Sequence, residues 1–527
     1  MRSTFHGLNI ANSGLFMAQK QIDLSSHNVA NANTVGYSRQ RFVTSAIDPL
    51  GYLMRFAPLQ RGAIGGGVEP LSLDQIRDIF LDRQYRTEFS KSSYWATRAS
   101  ALYYIEDVFN SVDAASLDGV MSDFFNALQE LSKNSTDEAI RTNVIAQAKK
   151  MIDCFRMYYD QLTDLMEQQD SNLYEETKHV NNLLTRLASL NDDIMKFEVG
   201  GNTANDLRDE RNLILDELSS FMDISYAEVS FEPPLFNIFG RELATFKLYV
   251  GSDVNNEDNL LCDGKYAQLL VMEEEEGLNE IADNNEPPII THQIYLASGI
   301  ALLPENIEGY ETGILKSYQD MRDGAEMDNQ GIPYFINQLN IMVNALVTEF
   351  NSIHSQGYTM PYSGAVSSSD SVSGIDFFDP DGVTANTIAI SEDVLLSAFN
   401  IAASSEYVTM EPDGHLQTGN NENALALIRG IKERSDLDDV GSFEGYFKNF
   451  LGNLASEVSL AYNMRDAQEV LIVSIGNQRS SIMTVSLDEE MTDLIRFQHA
   501  YNAAARCITV MDEALDKLIN GTGRVGL

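Results

Sequence analysis

Chemistry needs particular side chains at particular spacings, and this sequence holds few candidates. Asp376-Phe-Phe-Asp379-Pro-Asp381-Gly382 has the look of a calcium loop. Placing Gly382 at the sharp turn, however, puts Phe377 at the first ligand position and Ile388 at that of the bidentate carboxylate, so two oxygen donors are missing. An Asp-Pro-Asp-Gly turn forms without an ion. Gly62-Ala-Ile-Gly65-Gly66-Gly67 is glycine-rich, yet Pro58 and Pro70 flank it and no strand-to-helix pattern aims a helix N-terminus at phosphate. A bent connector is expected there. Cys154, Cys262 and Cys507 are far apart, with neither CxxC nor a tetrahedral zinc spacing. The histidines, His6, His27, His179, His292, His354, His415 and His499, make no HExxH pair, and no GxSxG elbow presents a serine nucleophile. Acidic pairs occur everywhere, so none stands out as a general acid and base. The residues point to a non-enzymatic protein with no catalytic group, cofactor or metal.

Charge narrows the partners. The 527 residues carry 36 Lys+Arg against 78 Asp+Glu, a formal charge of −42. Phosphate backbones and anionic membrane surfaces repel such a chain, so neither nucleic acid nor membrane is expected as a partner. No window of about 18 apolar residues occurs, and the N-terminus lacks the basic-then-apolar pattern of a cleaved signal. A soluble chain is expected, exported, if at all, without such a signal.

The elements that must position any functional residue fall into a mainly α, multidomain plan with a β-rich insertion. Leu8, Ala11, Leu15, Ala18, Ile22 and Val29 form a heptad seam, interrupted only by Ser25. A stronger seam runs through Leu487, Leu494, Phe497, Tyr501, Ala504, Ile508, Met511, Leu515 and Leu518, with Glu490 at its one missing position. Such narrow stripes suit one partner helix better than a globular core. Their charges are opposite: residues 1–47 hold four bases and one acid, residues 487–518 seven acids and three bases. Pairing of the two ends, within one chain or between copies, is expected, as coiled-coil helices outside a long-helix bundle or rod. Residues 1–72 read as axial helix and extended, hinge-like connector, and 73–223 as the first part of a helical domain with a long helix broken at Gly200-Gly201. Alternating residues and Pro/Gly breakers mark 224–310 as a β-rich insertion, with Glu273–Glu276 as a solvated turn. Residues 311–485 resume the helical domain around a loop-rich stretch, 357–420, and 486–527 form the C-terminal axial helix.

The segment Ser13–Gln40 resembles the N-terminal signature of the bacterial flagellar axial proteins, those of rod, hook and hook-associated parts. Asn28, Ala30, Asn31, Thr34, Gly36 and Tyr37 match its helix-ending core. Residues 487–519 resemble the same family's C-terminal helix. Tyr37-Ser38-Arg39-Gln40, together with Asp206–Ser219 and Asn351-Ser-Ile-His354-Ser-Gln-Gly357-Tyr358, is similar to the hook–filament junction branch. The resemblance implies a structural, extracellular flagellar protein that self-assembles into a ring or tube. It implies as partners the hook protein, a second junction protein with the filament, and a chaperone of flagellar type III export bound to the C-terminal seam. The two seams are then the assembly interface, and residues 28–40 the family's exit motif; where other members carry a large β domain after the Asn351–Tyr358 motif, this chain has only a short stretch, so a reduced outer domain is expected at 357–420. A hook or distal rod protein, or a secreted enzyme on an axial scaffold, are the rival readings.

Overall fold

The computed structural model describes residues 6–47, 65–109, 116–238, 240–276, 290–361, 371–408, 420–433 and 443–521. In chain order these form α1 (His6–Ala30), β1 (Gln40–Ile47), β2 (Gly67–Gln75), α2 (Ile79–Phe109), α3 (Leu117–Lys133), α4 (Glu138–Val199) and α5 (Asn205–Phe221). There follow β3 (Ile224–Ser230), β4 (Ala244–Val250), β5 (Leu260–Asp263), β6 (Tyr266–Ala267), β7 (Val271–Glu276) and β8 (Ile290–Tyr295). The chain continues with α6 (Ile314–Asp323), β9 (Ala325–Glu326), β10 (Asn329–Gln330), α7 (Ile332–His354) and α8 (Glu392–Leu396). It closes with α9 (Glu422–Glu433), α10 (Phe443–Met483) and α11 (Leu487–Asp516). Two compact units result, one of residues Met1–Phe89, Asn181–Leu269 and Glu469–Leu527, the other of Ser90–Val180 and Leu270–Gln468. Helices α2, α4 and α10 contribute residues to both.

In the first unit α1 packs along α11 and on β2. The pair is antiparallel: a Cβ on Gly7 would touch the end of Met511, while Arg39, beyond the other end of α1, meets Glu490 at the start of α11. β1 and β2 are an antiparallel hairpin with a register shift between Val43 and Thr44. At its far end Gly67 has φ 119°, and a Cβ there would collide with Ser13, so only glycine lets the hairpin lie this close to α1. Helix α4 ends at Val199, and Gly201, with φ 82°, donates its N–H to the Glu198 carbonyl, capping the turn that sends the chain into α5. The antiparallel sheet β3-β4-β5-β6 completes this unit.

The second unit holds the large apolar core. Along α4, Val144, Ala148, Met151, Phe155, Tyr158, Leu162 and Leu165 recur every three or four residues and are buried against α2, α3, α7 and α10 residues. Phe124, Phe350, Phe377 and Phe378 cluster with ring centroids 4.9–6.5 Å apart. The motif Asn351–Tyr358 holds the 371–404 segment in this core. Asn351 accepts from the N–H of Phe377 and of Phe378 and donates to the Phe378 carbonyl. His354, fully buried, bonds the Ile375 carbonyl through Nδ1 and accepts the Ala402 N–H on Nε2. Arg141, on α4, donates to the Ile401 carbonyl at 2.8 Å.

Several expectations need correction. The helical pattern expected from residue 73 begins only at Ile79, because Leu73 belongs to β2, whose partner strand lies thirty residues back and is invisible to local periodicity. The connector at 31–72 contains a paired hairpin, with 48–64, including Pro58 and Gly62, outside the described residues. Glu273–Glu276 is not a turn but most of β7, paired with β8; Glu273 and Glu274 are exposed on a two-stranded ribbon, which lets the like charges face water. Residues 224–269 and 270–310, read as one insertion, belong to different units, and the expected outer stretch at 357–420 supplies Phe377, Phe378, Ile388 and Ile401 to the helical core. Phe377 and Ile388 are thus core side chains of the supposed calcium loop, while Asp379 accepts the Asp381 N–H in a local turn.

His354 yields a pH prediction. Burial, against its bond to Ile375, pushes the imidazole from 6.5 down to about 4. An unfolded chain takes up a proton between those values that the folded one refuses. Stability from this group is therefore complete above about 6.5 and falls as pH drops towards 4, by on the order of 3 kcal/mol. Melting curves from pH 7.5 to 4.5 should show a steeper acid decline for the wild type than for His354→Gln; identical slopes would contradict a buried neutral ring.

Candidate assembly site

The exit motif is where the sequence concentrates its specific residues, and the structure draws four separate segments onto it. Helix α1 ends as Asn31 returns its backbone N–H and side-chain amide to the His27 carbonyl, each at 3.1 Å. Thr34 then donates its backbone N–H to the Asn31 carbonyl and its hydroxyl to Asn31 Oδ1. Gly36 has φ 78° and lies on Leu213 of α5, where a Cβ would come within 2.6 Å of that side chain. Both facts demand glycine. Tyr37 is buried and donates its hydroxyl to Asn28 Oδ1 at 2.8 Å. Burial first, then the charges of Asp206, Asp209 and Glu490, raise its pKa far above the ordinary phenol value, so it stays a donor. Asn28 also exchanges two hydrogen bonds with the Gln40 backbone, fixing the angle between helix and strand.

The next three residues bind other parts of the first unit. Ser38 donates its N–H at 3.0 Å and its hydroxyl at 2.7 Å to the two oxygens of Asp209. Gln40 donates to Asp206 at 2.8 Å and accepts from Asn205 at 3.1 Å. The Asp206-Leu-Arg-Asp209 motif is therefore the docking partner of Ser38 and Gln40, two carboxylates three residues apart on one face of α5. Arg39 points the other way. Its Nε meets Glu490 Oε1 at 2.7 Å, Nη1 meets Glu489 at 2.6 Å, and Nη2 lies 3.8 Å from Asp493. Its backbone N–H donates to the Met483 carbonyl at the end of α10, and its carbonyl accepts from Ile76 after β2. Ser486 caps α11 by accepting the Glu489 N–H, and three acids fill the first turn, where the helix dipole favours negative charge.

Behind the motif lies an ion network that the sequence reading missed. Arg77 bridges Asp82 and Asp209; Arg479 pairs with Asp82 and Asp216, both at 2.6 Å; Arg86 pairs with Asp216 at 2.7 Å. Burial would raise Asp82, but Arg77, Arg479 and Arg86 outweigh it and hold the carboxyl below its usual value. At Asp209 burial prevails over the bonds from Ser38 and Arg77, and the carboxyl sits above the usual range. Nothing in the spacing of these residues announces such a network: apart from Arg77 and Asp82, near neighbours in the chain, the partners are 130 or more positions apart.

The seams lie where α1 and α11 meet. Ala18 and Ser25 are buried, and Leu8, Ala11, Leu15, Ile22 and Val29 are half-buried. On α11, Leu494, Phe497, Tyr501, Ala504, Ile508 and Leu515 are half-buried, whereas Leu487, Met511 and Leu518 are exposed. Glu490, the gap in the seam, is the most buried residue of α11, at 2% exposure. Ser13 marks a second packed face of α1, unseen in the heptad reading, and accepts the Val68 N–H.

Comparisons with known proteins fall on the same segments. Residues 102–369 match the flagellar hook-associated protein FlgK helical domain, 8–37 the flagella basal body rod protein family and 478–521 the flagellar basal body rod FlgEFG protein C-terminal family. The two rod matches cover most of α1 with the exit motif as far as Tyr37, and the end of α10 with α11; Arg39, just beyond the first match, touches the second. The chain is 32% identical over 99% of both chains to flagellar hook-associated protein 1 of Bacillus subtilis (strain 168). It is 24% identical to the Salmonella typhimurium protein of that name, over 97% of this chain and 99% of the other. A solved flagellar hook junction protein FlgK from Burkholderia pseudomallei has a similar fold, with TM-score 0.54 and 12% identity, over 77% of this chain and 100% of that one.

Asp209 is the most consequential single acceptor. Asp209→Ala strips partners from the Ser38 N–H and hydroxyl and from one side of Arg77, at a cost of about 2–4 kcal/mol. Ser38→Ala should cost about 1 kcal/mol, and denaturant unfolding of the two single variants and the double should be non-additive; strict additivity would mean the contact contributes nothing.

Proposed function

The chain belongs to the flagellar hook-associated protein 1 family and is a structural protein of the bacterial flagellum at the hook–filament junction; we propose that it polymerises there through the α1–α11 pair as a short ring or tube between hook and filament. The observation that carries this reading is the joining of the two family-specific ends by Arg39 and by the packing of α1 along α11. The two ends would be presented together to neighbouring copies through this narrow apolar seam.

The same reading extends to the route and partners. Export would follow the flagellar type III pathway, and a chaperone would cover the C-terminal seam, including Phe497, Tyr501 and Ile508, until α1 replaces it. The hook protein would lie on one side and a second junction protein with the filament on the other. The residues available for chemistry support a non-catalytic role: Asp82, Asp209 and Asp216 are engaged with arginines, and Cys154 and Cys262 are buried thiols whose pKa burial raises.

The test places a charge in the seam. Leu15→Asp or Leu494→Asp should cost about 2–5 kcal/mol at the helix contact, and a closed ring repeats the defect in every subunit. Cells making either variant should bear hooks without filaments and lose motility, while the melting of the second unit is unchanged. Normal filaments from both variants at normal protein levels would refute the assembly reading.

A further inference from the structure

We infer that Glu490 and Arg39 form a conformational interlock that makes pairing of the two terminal helices conditional on docking of the exit motif. The inference does not depend on what the paired helices later bind. Its basis is the position of Glu490. The carboxylate falls on the seam of α11, where the neighbouring seam positions Leu494 and Phe497 are apolar, and it is almost wholly buried. A carboxylate in such a place is unfavourable unless a cation with good geometry meets it, and losing that cation leaves an uncompensated buried charge. Among the described residues its ion pair is with Arg39 alone.

Arg39 reaches Glu490 only when its own segment is seated. The residues on either side are fixed by Asp209, Asp206, Asn205 and Asn28, and its backbone is held by Met483 and Ile76. Only Thr484, Val485 and Ser486 separate α10 from α11. Arg39 therefore braces that corner, with its N–H on the last carbonyl of α10 and its guanidinium on the first turn of α11. A planar guanidinium, donating to Glu489 and Glu490 from different nitrogens, fixes direction as well as charge. With the exit motif undocked, α11 would bring a bare carboxylate to α1. With it docked, the carboxylate is neutralised and the seam closes. An apolar residue at 490 would give a stronger seam but no such condition.

The experiment is amide hydrogen exchange on the full-length chain in four forms: wild type, Arg39→Ala, Glu490→Leu and the double variant. Arg39→Ala should speed exchange in both α1 and α11 by about tenfold or more, leaving β3–β6 and α7 unchanged. Glu490→Leu should leave both helices at least as protected as in the wild type. The double variant should recover the protection that Arg39→Ala loses, because leucine fills the seam and needs no cation. If Arg39→Ala also loosens β3–β6, recovery in the double variant still decides the question. The inference is overturned if Arg39→Ala leaves α11 protected, if the double variant exchanges as fast as Arg39→Ala, or if wild-type α1 and α11 exchange as fast as the Arg39→Ala form.

Discussion

A carboxylate inside an apolar helix seam is the constraint around which the first unit is organised. Glu490 needs Arg39, which is positioned by its own backbone bonds to Ile76 and the end of α10 and by loop neighbours bound to α1, β2 and α5. Each contact alone is modest, with a net contribution of about 1 kcal/mol for an ordinary hydrogen bond and somewhat more for charge-assisted ones. Their arrangement matters more than their sum. Four segments far apart in sequence converge on residues 37–40, so that removing one member leaves several buried groups without partners.

Much of this was legible in the sequence, because the terminal helices carry their information in local spacing. The seams and the break at Gly200-Gly201 follow from period and turn chemistry, and Gly36 and Tyr37 stand out through the family resemblance; the structure gives each a physical reason. The internal motifs were legible as resemblances without a role: Asp206 and Asp209 turn out to receive Gln40 and Ser38, and Asn351 and His354 to anchor the 371–404 segment. Glu490 was visible as a gap in a pattern. That the gap is a paired charge depends on a residue 451 positions away, which no window contains.

What stayed illegible shares one cause. The network of Arg77, Arg86 and Arg479 with Asp82, Asp209 and Asp216 joins α2, α5 and α10, and in a chain with 78 acids no spacing singles out three of them. The last residues of β2, from Leu73, read as the start of the following helix because Leu73, Ile76, Ile79 and Phe80 fit a helical period, while the hairpin partner that overrides it lies elsewhere in the chain. The unit boundaries cut through α2, α4 and α10, where periodicity does not change. Local pattern identifies elements well and says little about which elements share a core.

The central claim is that the two ends of one chain pair with each other, α1 antiparallel to α11. The most direct test is thiol cross-linking of Gly7→Cys with Met511→Cys in a chain whose exposed Cys507 is replaced by serine, using a short bifunctional reagent on purified protein and on isolated flagella. The account predicts one fast-formed product at the mass of a single chain in both samples, lost when either added cysteine is omitted. Products at the mass of two or more chains, with no internally linked monomer, would contradict it and assign the pairing to different copies.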